Sequence, residues 1–491
     1  MPPEGGVTAT GGTGGGAAGG ASGQPAAPSS VCPVPEPWAL PATSRVVGSG
    51  TAESCTQEAL RTAVAGGGHV TFACGDAPVT ISLSQAIQVS KPTVLNGEDK
   101  VTLDGAGKTQ ILVVASNQSL SVRNLRFVNG VAPAVMEAEG IGGAVAGKWR
   151  SRVEVIGCTF ERNVAGRGGG AVAVWTGSSL VISNSTFVGN TSWYGGAVYS
   201  LLSPLTIVNS VFSGNATVTD GGLGDGGAIG TDGASESPDD ATGGEVIICG
   251  TRITNSQGYG NGGGAYIWVY PPDRVTIDRT TVEGNQVNAN AKGSGGLGAA
   301  MRISNGEIVV KDSSFLSNTS DNDGGAFYLD CAPSCRISNS TFHGNSAKAY
   351  GGAIFGDKFE VNNATFASNS AGGHGGAIFG KGFVLNNTVF VDNKAGNPWN
   401  QAMSCSSTGT GKDVLQWLSA SSSAGSDTCI AKVLAADPML GAPTDNGGPT
   451  ATMLPGAQSA ARDVGRDCEA TDQRGEARET TACDLGAVEV P

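Results

Sequence analysis

The chain has 491 residues, 78 of them Gly, with 39% apolar, 14% charged and 6% aromatic residues. Its formal net charge of −13 makes it a poor partner for a phosphate backbone and argues against nucleic-acid binding. No apolar run approaches the roughly 18 residues of a membrane-crossing helix, and Gly far above its usual share of about 7% beside an adequate apolar content points to an all-β or repeat protein rich in tight turns.

Residues 1–31 are low-complexity Gly, Ala, Ser, Thr and Pro, which cannot bury apolar surface and read as a flexible tether. The start has no basic region and no apolar stretch, so the expectation is an exported protein written without its leader. Residues 32–103 form an N-terminal cap and the first coils. SCTQEALRTAVAGGG, beginning at Ser54, reads as a short helix with Ser54 as N-cap and the glycines as its end. HVTFAC, PVTISLS, TVLNG and KVTLDG read as strands. A terminal coil must hide its open core and its strand edge, and the short helix is a natural lid for it.

Residues 104–400 are repetitive. Phe-x-x-Asn recurs at 160–163, 187–190, 212–215, 315–318, 342–345, 366–369 and 390–393, with a weakened copy at 282–285. Gly-Gly-Ala begins at Gly142, Gly169, Gly195, Gly226, Gly263, Gly324, Gly351 and Gly375, with a degenerate LGAA ending at Ala300. The clean spacings are 24 to 27 residues. Before each Phe stands a short alternating strand and an Asn, as in VISNSTF, TIVNSVF and RISNSTF. Asn tolerates a left-handed backbone and Gly adopts one freely, so each repeat holds short strands separated by sharp corners. That is one turn of a parallel β-helix, with strands of successive coils about 4.8 Å apart. Phe187 then stacks on Phe212, and Phe342 on Phe366 and Phe390. An Asn ladder is expected through Asn184 and Asn209, and another through Asn339, Asn363 and Asn387.

The residues after Gly-Gly-Ala alternate inward and outward. Read from the Ala, the outward column runs Ala146, Ala173, Tyr199, Gly230, Ile267, Met301, Tyr328, Phe355 and Phe379. Tyr328, Phe355 and Phe379 form an aromatic column on consecutive coils, with Trp268 and Tyr270 a little further along their own strand. These five are the candidate binding residues, as a strip that stacks on sugars or meets a protein. The competing reading is that an insertion covers them.

Residues 401–491 are a loop-rich, disulfide-tied C-terminal segment. Of the 11 cysteines, Cys55 with Cys74, Cys331 with Cys335, Cys405 with Cys429 and Cys468 with Cys483 lie close in sequence and read as disulfides of an exported protein. Cys32, Cys158 and Cys249 have no local partner, and the odd total leaves at least one sulfur unmatched; Cys158 and Cys249 fit as small buried apolar residues.

Gly-Gly-Ala-Ile paired with Phe-x-x-Asn resembles the repeats of chlamydial polymorphic membrane proteins, a family of surface-exposed adhesins. More broadly the chain resembles exported bacterial right-handed parallel β-helix proteins of pectate-lyase-like fold. The tail, with DQRG at 472–475 and DLGAVE at 484–489, resembles the end of a choice-of-anchor domain. The likeness covers the chain from about Cys55 onward, without the C-terminal β-barrel of the chlamydial proteins. It implies an all-β right-handed parallel β-helix of about a dozen coils with a short N-terminal capping helix. It further implies an adhesin-like scaffold at the outer membrane or cell surface, binding carbohydrate or a cell-surface protein, with attachment through the N-terminal tether.

The alternative is a lyase or hydrolase acting on acidic polysaccharide, as many β-helices do. Gly373-His374-Gly375 resembles the Gly-His-Gly of polygalacturonases, but no Asn-Thr-Asp or Arg-Ile-Lys accompanies it. His374 also fills a variable slot that holds Tyr350, Asp323 and Tyr194 in other coils. No catalytic residue is assigned and no cofactor is expected, calcium being the one ion the acidic loop admits. Its Asp220, Asp225 and Asp232 are weak candidates, at spacings unlike an EF-hand, with Asp239 and Asp240 further on.

Overall fold

The structure, a computed structural model, describes residues 31–135, 137–218, 224–237, 241–290, 292–397, 403–425 and 427–490. The expected tether, apart from Val31, lies outside them, as do Asp220, Asp239 and Asp240. The described chain is an all-β parallel solenoid of about 13 turns. Thirty-two strands join one sheet that winds with the coil, and eight two-residue strands, from Thr191–Ser192 to Lys394–Ala395, make a narrow further strip.

Each coil turns at left-handed corners. One follows the alternating strand and is occupied by Asn184 (φ 49°), Asn209 (48°), Asn339 (43°), Asn363 (49°) and Asn387 (48°). Another is the first Gly of each pair, such as Gly351 (φ 67°) and Gly375 (69°). The second Gly has a different reason: a Cβ on Gly352 would sit 2.0 Å from the carbonyl oxygen of Gly376 in the next coil. Only a residue without a side chain lets the two backbones approach this closely.

Inside, Phe160, Phe187 and Phe212 stack with centroids 4.8 and 4.6 Å apart. Phe315, Phe342, Phe366 and Phe390 repeat the arrangement at 4.9, 4.7 and 4.9 Å. Ile253 and Val282 hold the same position between the two stacks.

The asparagine ladder exists but is built from the other asparagine of the repeat. Asn163, Asn190 and Asn215 form one run, and Asn285, Asn318, Asn345, Asn369 and Asn393 another. Each side-chain amide donates to a Phe, Val or Ile carbonyl of the coil before and, except in Asn215 and Asn393 at the ends of the runs, to the next Asn. These are the Asn of Phe-x-x-Asn, fully buried. Asn184 and Asn209 instead point outward from their corners, as do Asn339, Asn363 and Asn387, because a left-handed residue at the end of a strand turns its side chain off the core. Ser256 interrupts the ladder.

The outward asparagines hold the two ends of the chain. Asn209 Oδ1 accepts from the Cys32 amide at 3.0 Å while its Nδ2 donates to the Cys32 carbonyl at 2.8 Å. Asn387 grips Arg466 in the same two-pronged way, at 3.2 and 3.0 Å. Asn363 accepts from Glu469 N and Asn339 donates to Thr471 O. The DQRG and DLGAVE motifs then fold this segment on itself: buried Asp472 accepts from Arg474 N and Glu489 N, and buried Arg478 reaches Glu489, Gly486 O and Asn339.

The four local cysteine pairs are disulfides. A fifth joins Cys32 to Cys249 across 217 residues, so Cys249 is a staple for the N-terminal arm and not a buried apolar filler. Proximity in sequence cannot reveal a partner that only winding of the solenoid brings near. Cys158 is free and buried, and burial pushes its thiol up to about 12.

The helix spans Gln57–Gly66 and its N-cap is Thr56, whose hydroxyl accepts from Ala59 N at 3.2 Å. Ser54 instead ends the 3-10 turn Ala52–Ser54. The helix buries Leu60, Ala63 and Val64 over the first strands.

Candidate functional site

The outward column after each Gly pair places the candidate residues, and its register differs from the sequence reading in two coils. In Gly262-Gly263-Gly264-Ala265 the left-handed corner is Gly262 (φ 66°), so Ala265 faces inward and Tyr266 outward. In Leu297-Gly298-Ala299-Ala300 the corner is Gly298 (φ 67°), so Met301 faces inward and Arg302 outward. Ile267 and Met301, expected outside, are fully buried. The true column runs Ala146, Ala173, Tyr199, Gly230, Tyr266, Arg302, Tyr328, Phe355 and Phe379.

Coverage divides it. Ala146, Ala173 and Tyr199 are buried in a cluster with Ile141 and Trp175, against which Ala138, Tyr194 and Leu201 pack. From Tyr266 onward the side chains are half-buried. Tyr328 stacks on Phe355 at 4.7 Å and Phe355 on Phe379 at 5.1 Å, near-parallel at 12° and 13°. Tyr350, from the slot before the Gly pair, packs on Phe379 at 4.6 Å and stacks with His374 at 6.1 Å. The sequence reading treated Tyr350 as a variable slot; its proximity to Phe379 follows from winding.

Arg302 closes the other end of the aromatic run. Its guanidinium lies 5.0 Å from the Tyr328 ring and 5.8 and 5.9 Å from Trp268 and Tyr266, the distances of cation–π contacts. Nη1 donates to Asn261 Oδ1 at 2.6 Å, and Asn261 Nδ2 donates to Asp225 Oδ1 at 2.7 Å. Nη2 faces Asp330 at 3.7 Å. Burial pushes the Asp225 carboxyl up to about 6 against the lowering effect of Asn261 and Arg302. Tyr270 donates to Asp232 at 2.9 Å, and burial with that acceptor pushes its hydroxyl up to about 12. Asp225 and Asp232 are therefore engaged by separate side chains, and among the described residues no group of three or more His, Cys, Asp or Glu converges on a metal-sized site.

A carboxyl held protonated by burial stabilises the fold below its unfolded pKa of about 4 and loses that contribution as pH rises through about 6. Asp225→Asn is expected to flatten this part of the profile: wild type loses about 2–3 kcal/mol of stability between pH 4 and pH 7 that the variant keeps. Urea unfolding of both proteins across that range measures it, and parallel profiles would refute it. Asp312, also raised to about 6, titrates equally in both and cancels in the difference.

Beside the column runs a groove of about 850 Å³. It arises at a step in coil length. Leu329 and Gly356 are paired, as are Arg336 and Glu360, so residues 330–335 of one coil face only 357–359 of the next. The longer coil overhangs, tied by the Cys331–Cys335 disulfide. Phe355, Gly356, Phe379 and Gly380 line it.

Residues 339–357 and 363–381, which carry Tyr350, Phe355, His374 and Phe379, each match the model of the Chlamydia polymorphic membrane protein repeat. The chain is a parallel β-helix with polymorphic-membrane-protein-type repeats. This β-helix is also similar to the catalytic unit of a thermostable GH87 alpha-1,3-glucanase from Streptomyces thermodiastaticus strain HF3-3, at 15% identity and TM-score 0.35 over 75% of this chain and 70% of that one. Against pectate lyase Pel9A the values are 15% and 0.29, over 86% and 88%. No curated protein sequence matches it. Among the described residues no helix is long and apolar enough to cross a membrane.

Proposed function

We propose that this β-helix is an adhesin-like scaffold, exported or displayed at the cell surface, that binds carbohydrate or protein along the ridge Tyr328–Phe355–Phe379. One observation carries the reading: the outward column is buried in the early coils and left half-exposed over the later ones, where three stacked rings on consecutive coils follow Arg302. Buried aromatic anchors with a polar rim are the usual source of binding energy at a protein surface. Trp268 and Tyr270 flank the ridge beyond Arg302. Five disulfides suit an oxidising compartment, and the repeat type agrees with surface display.

The double variant Tyr328→Ala, Phe355→Ala is expected to bind at least about tenfold more weakly to the ligands that wild type selects from a glycan array and a panel of purified extracellular-matrix proteins. Circular dichroism checks that the solenoid persists. Unchanged binding would remove the ridge from the reading. Release of reducing or unsaturated ends from acidic polysaccharide by wild type would replace the adhesin with an enzyme.

A further inference from the structure

We infer that the groove at the end of the aromatic stack is a subsite for one pyranose ring of a neutral glycan, seated on the uncovered face of Phe379. The inference rests on the binding role proposed above and names its ligand class.

The stack supplies the first reason. Rings that lie nearly parallel at 4.7 and 5.1 Å cover each other's faces, so Tyr328 and Phe355 offer mainly edges. Arg302 occupies the far side of Tyr328. Phe379 is the last ring: Phe355 and Tyr350 of the preceding coil pack against it. In the following coil Ile378 bridges Cys405, which puts Ser406 in register with Phe379. Where the repeat would place a fourth ring there is a hydroxymethyl group, and the groove opens there, lined by Phe379, Met403 and Ser406. A flat, partly apolar ring fills that position at the spacing of the stack, and a pyranose presents such a C–H face.

Polarity supplies the second. Ser406 Oγ is drawn to Gly380, accepting from its amide at 3.0 Å, and Ser407 donates to the Gly380 carbonyl at 2.6 Å, so the end wall is hydroxyl-rich. The rim carries Asp330 and Asp357 against Lys358 and Lys381, all lining the groove. Carboxylates and ammonium groups stand side by side, with Arg302 facing Asp330 at 3.7 Å, so the rim offers both donors and acceptors to sugar hydroxyls. An extended peptide would need a free strand edge to pair with. Here the strands Ile354–Gly356 and Ile378–Phe379 are already paired to each other and to the coils on either side.

Maltohexaose, cellohexaose and laminarihexaose, with hexagalacturonate as the acidic comparison, are titrated into the full chain by calorimetry and saturation-transfer NMR. At least one neutral hexasaccharide is expected to bind. Ser406→Trp, which supplies the missing ring, and Phe379→Leu, which keeps the bulk but removes the flat face, are each expected to weaken it about tenfold or more. Thermal melts check both variants; if Ser406→Trp perturbs folding, Phe379→Leu decides. No binding of any neutral hexasaccharide to wild type, or binding of hexagalacturonate alone, overturns the inference. Neutral binding that survives Ser406→Trp and Phe379→Leu but falls with Tyr328→Ala also overturns it, while leaving the ridge reading intact.

Discussion

Asn369→Leu is expected to destabilise the C-terminal coils by about 2–6 kcal/mol, although the side chains are nearly equal in size. Asn369 Oδ1 accepts from both the backbone amide and the Nδ2 of Asn345, at 3.0 and 2.9 Å. Its own Nδ2 donates to Phe342 O and to Asn393 Oδ1, at 2.9 and 2.9 Å. Leucine leaves the Asn345 amide and one Asn345 Nδ2 hydrogen buried without partners. Each such group costs about 1–3 kcal/mol, far more than the hydrogen bond itself contributes. Because each coil contacts only its neighbours, the loss should be local. Hydrogen exchange is expected to accelerate in residues 340–395 and not in 150–215. A uniform change along the solenoid, or none, would refute the ladder as its organising element.

Gly352→Ala should be of similar size, about 4 kcal/mol or more, for the opposite reason. The added methyl would lie 2.0 Å from Gly376 O and 2.6 Å from the backbone N and C of Ser370. None of these atoms belongs to a flexible side chain, so the coils must separate and break Gly352 N to Gly375 O and Ala353 N to Ala377 O. Gly344 is the control. It has a positive φ, 65°, which Gly352 lacks, and its Cβ would meet only Ser317 Oγ at 3.5 Å. Gly344→Asn should therefore cost no more than about 1 kcal/mol, since Asn accepts a left-handed backbone. Chemical unfolding of the two variants should separate them clearly. Equal losses would refute close approach as the reason for the second Gly of the pair.

Much of this was legible in one dimension. A solenoid translates equivalent positions into direct neighbours, so the spacing of Phe-x-x-Asn already states that Phe187 touches Phe212 and that Phe342 touches Phe366. The same logic correctly brought Tyr328, Phe355 and Phe379 into one column. It failed where the repeat is degenerate. Three successive glycines at 262–264 leave the corner ambiguous by one residue, and a one-residue slip exchanges inside for outside along the strand. Tyr266 and Arg302 were missed for that reason. The two asparagines of each repeat were confused because both recur with the same period; burial, not spacing, tells the ladder from the corner.

The sequence by itself determined the coil: its length, its stacked Phe, its glycine hinges and the parity of its strands, all local and repeated properties. Only the tertiary structure decided what lies on the coil. Which stretch of the outward column is roofed depends on the side chains, Ile141, Trp175 and Tyr194 among them, that winding packs around Ala146 and Tyr199. The Cys32–Cys249 staple spans 217 residues, and the tail runs along Asn339, Asn363 and Asn387. The groove beside Phe379 arises from a mismatch in length between adjacent coils. These are non-local features, fixed by the winding of the chain in space, and no periodicity in the sequence encodes them.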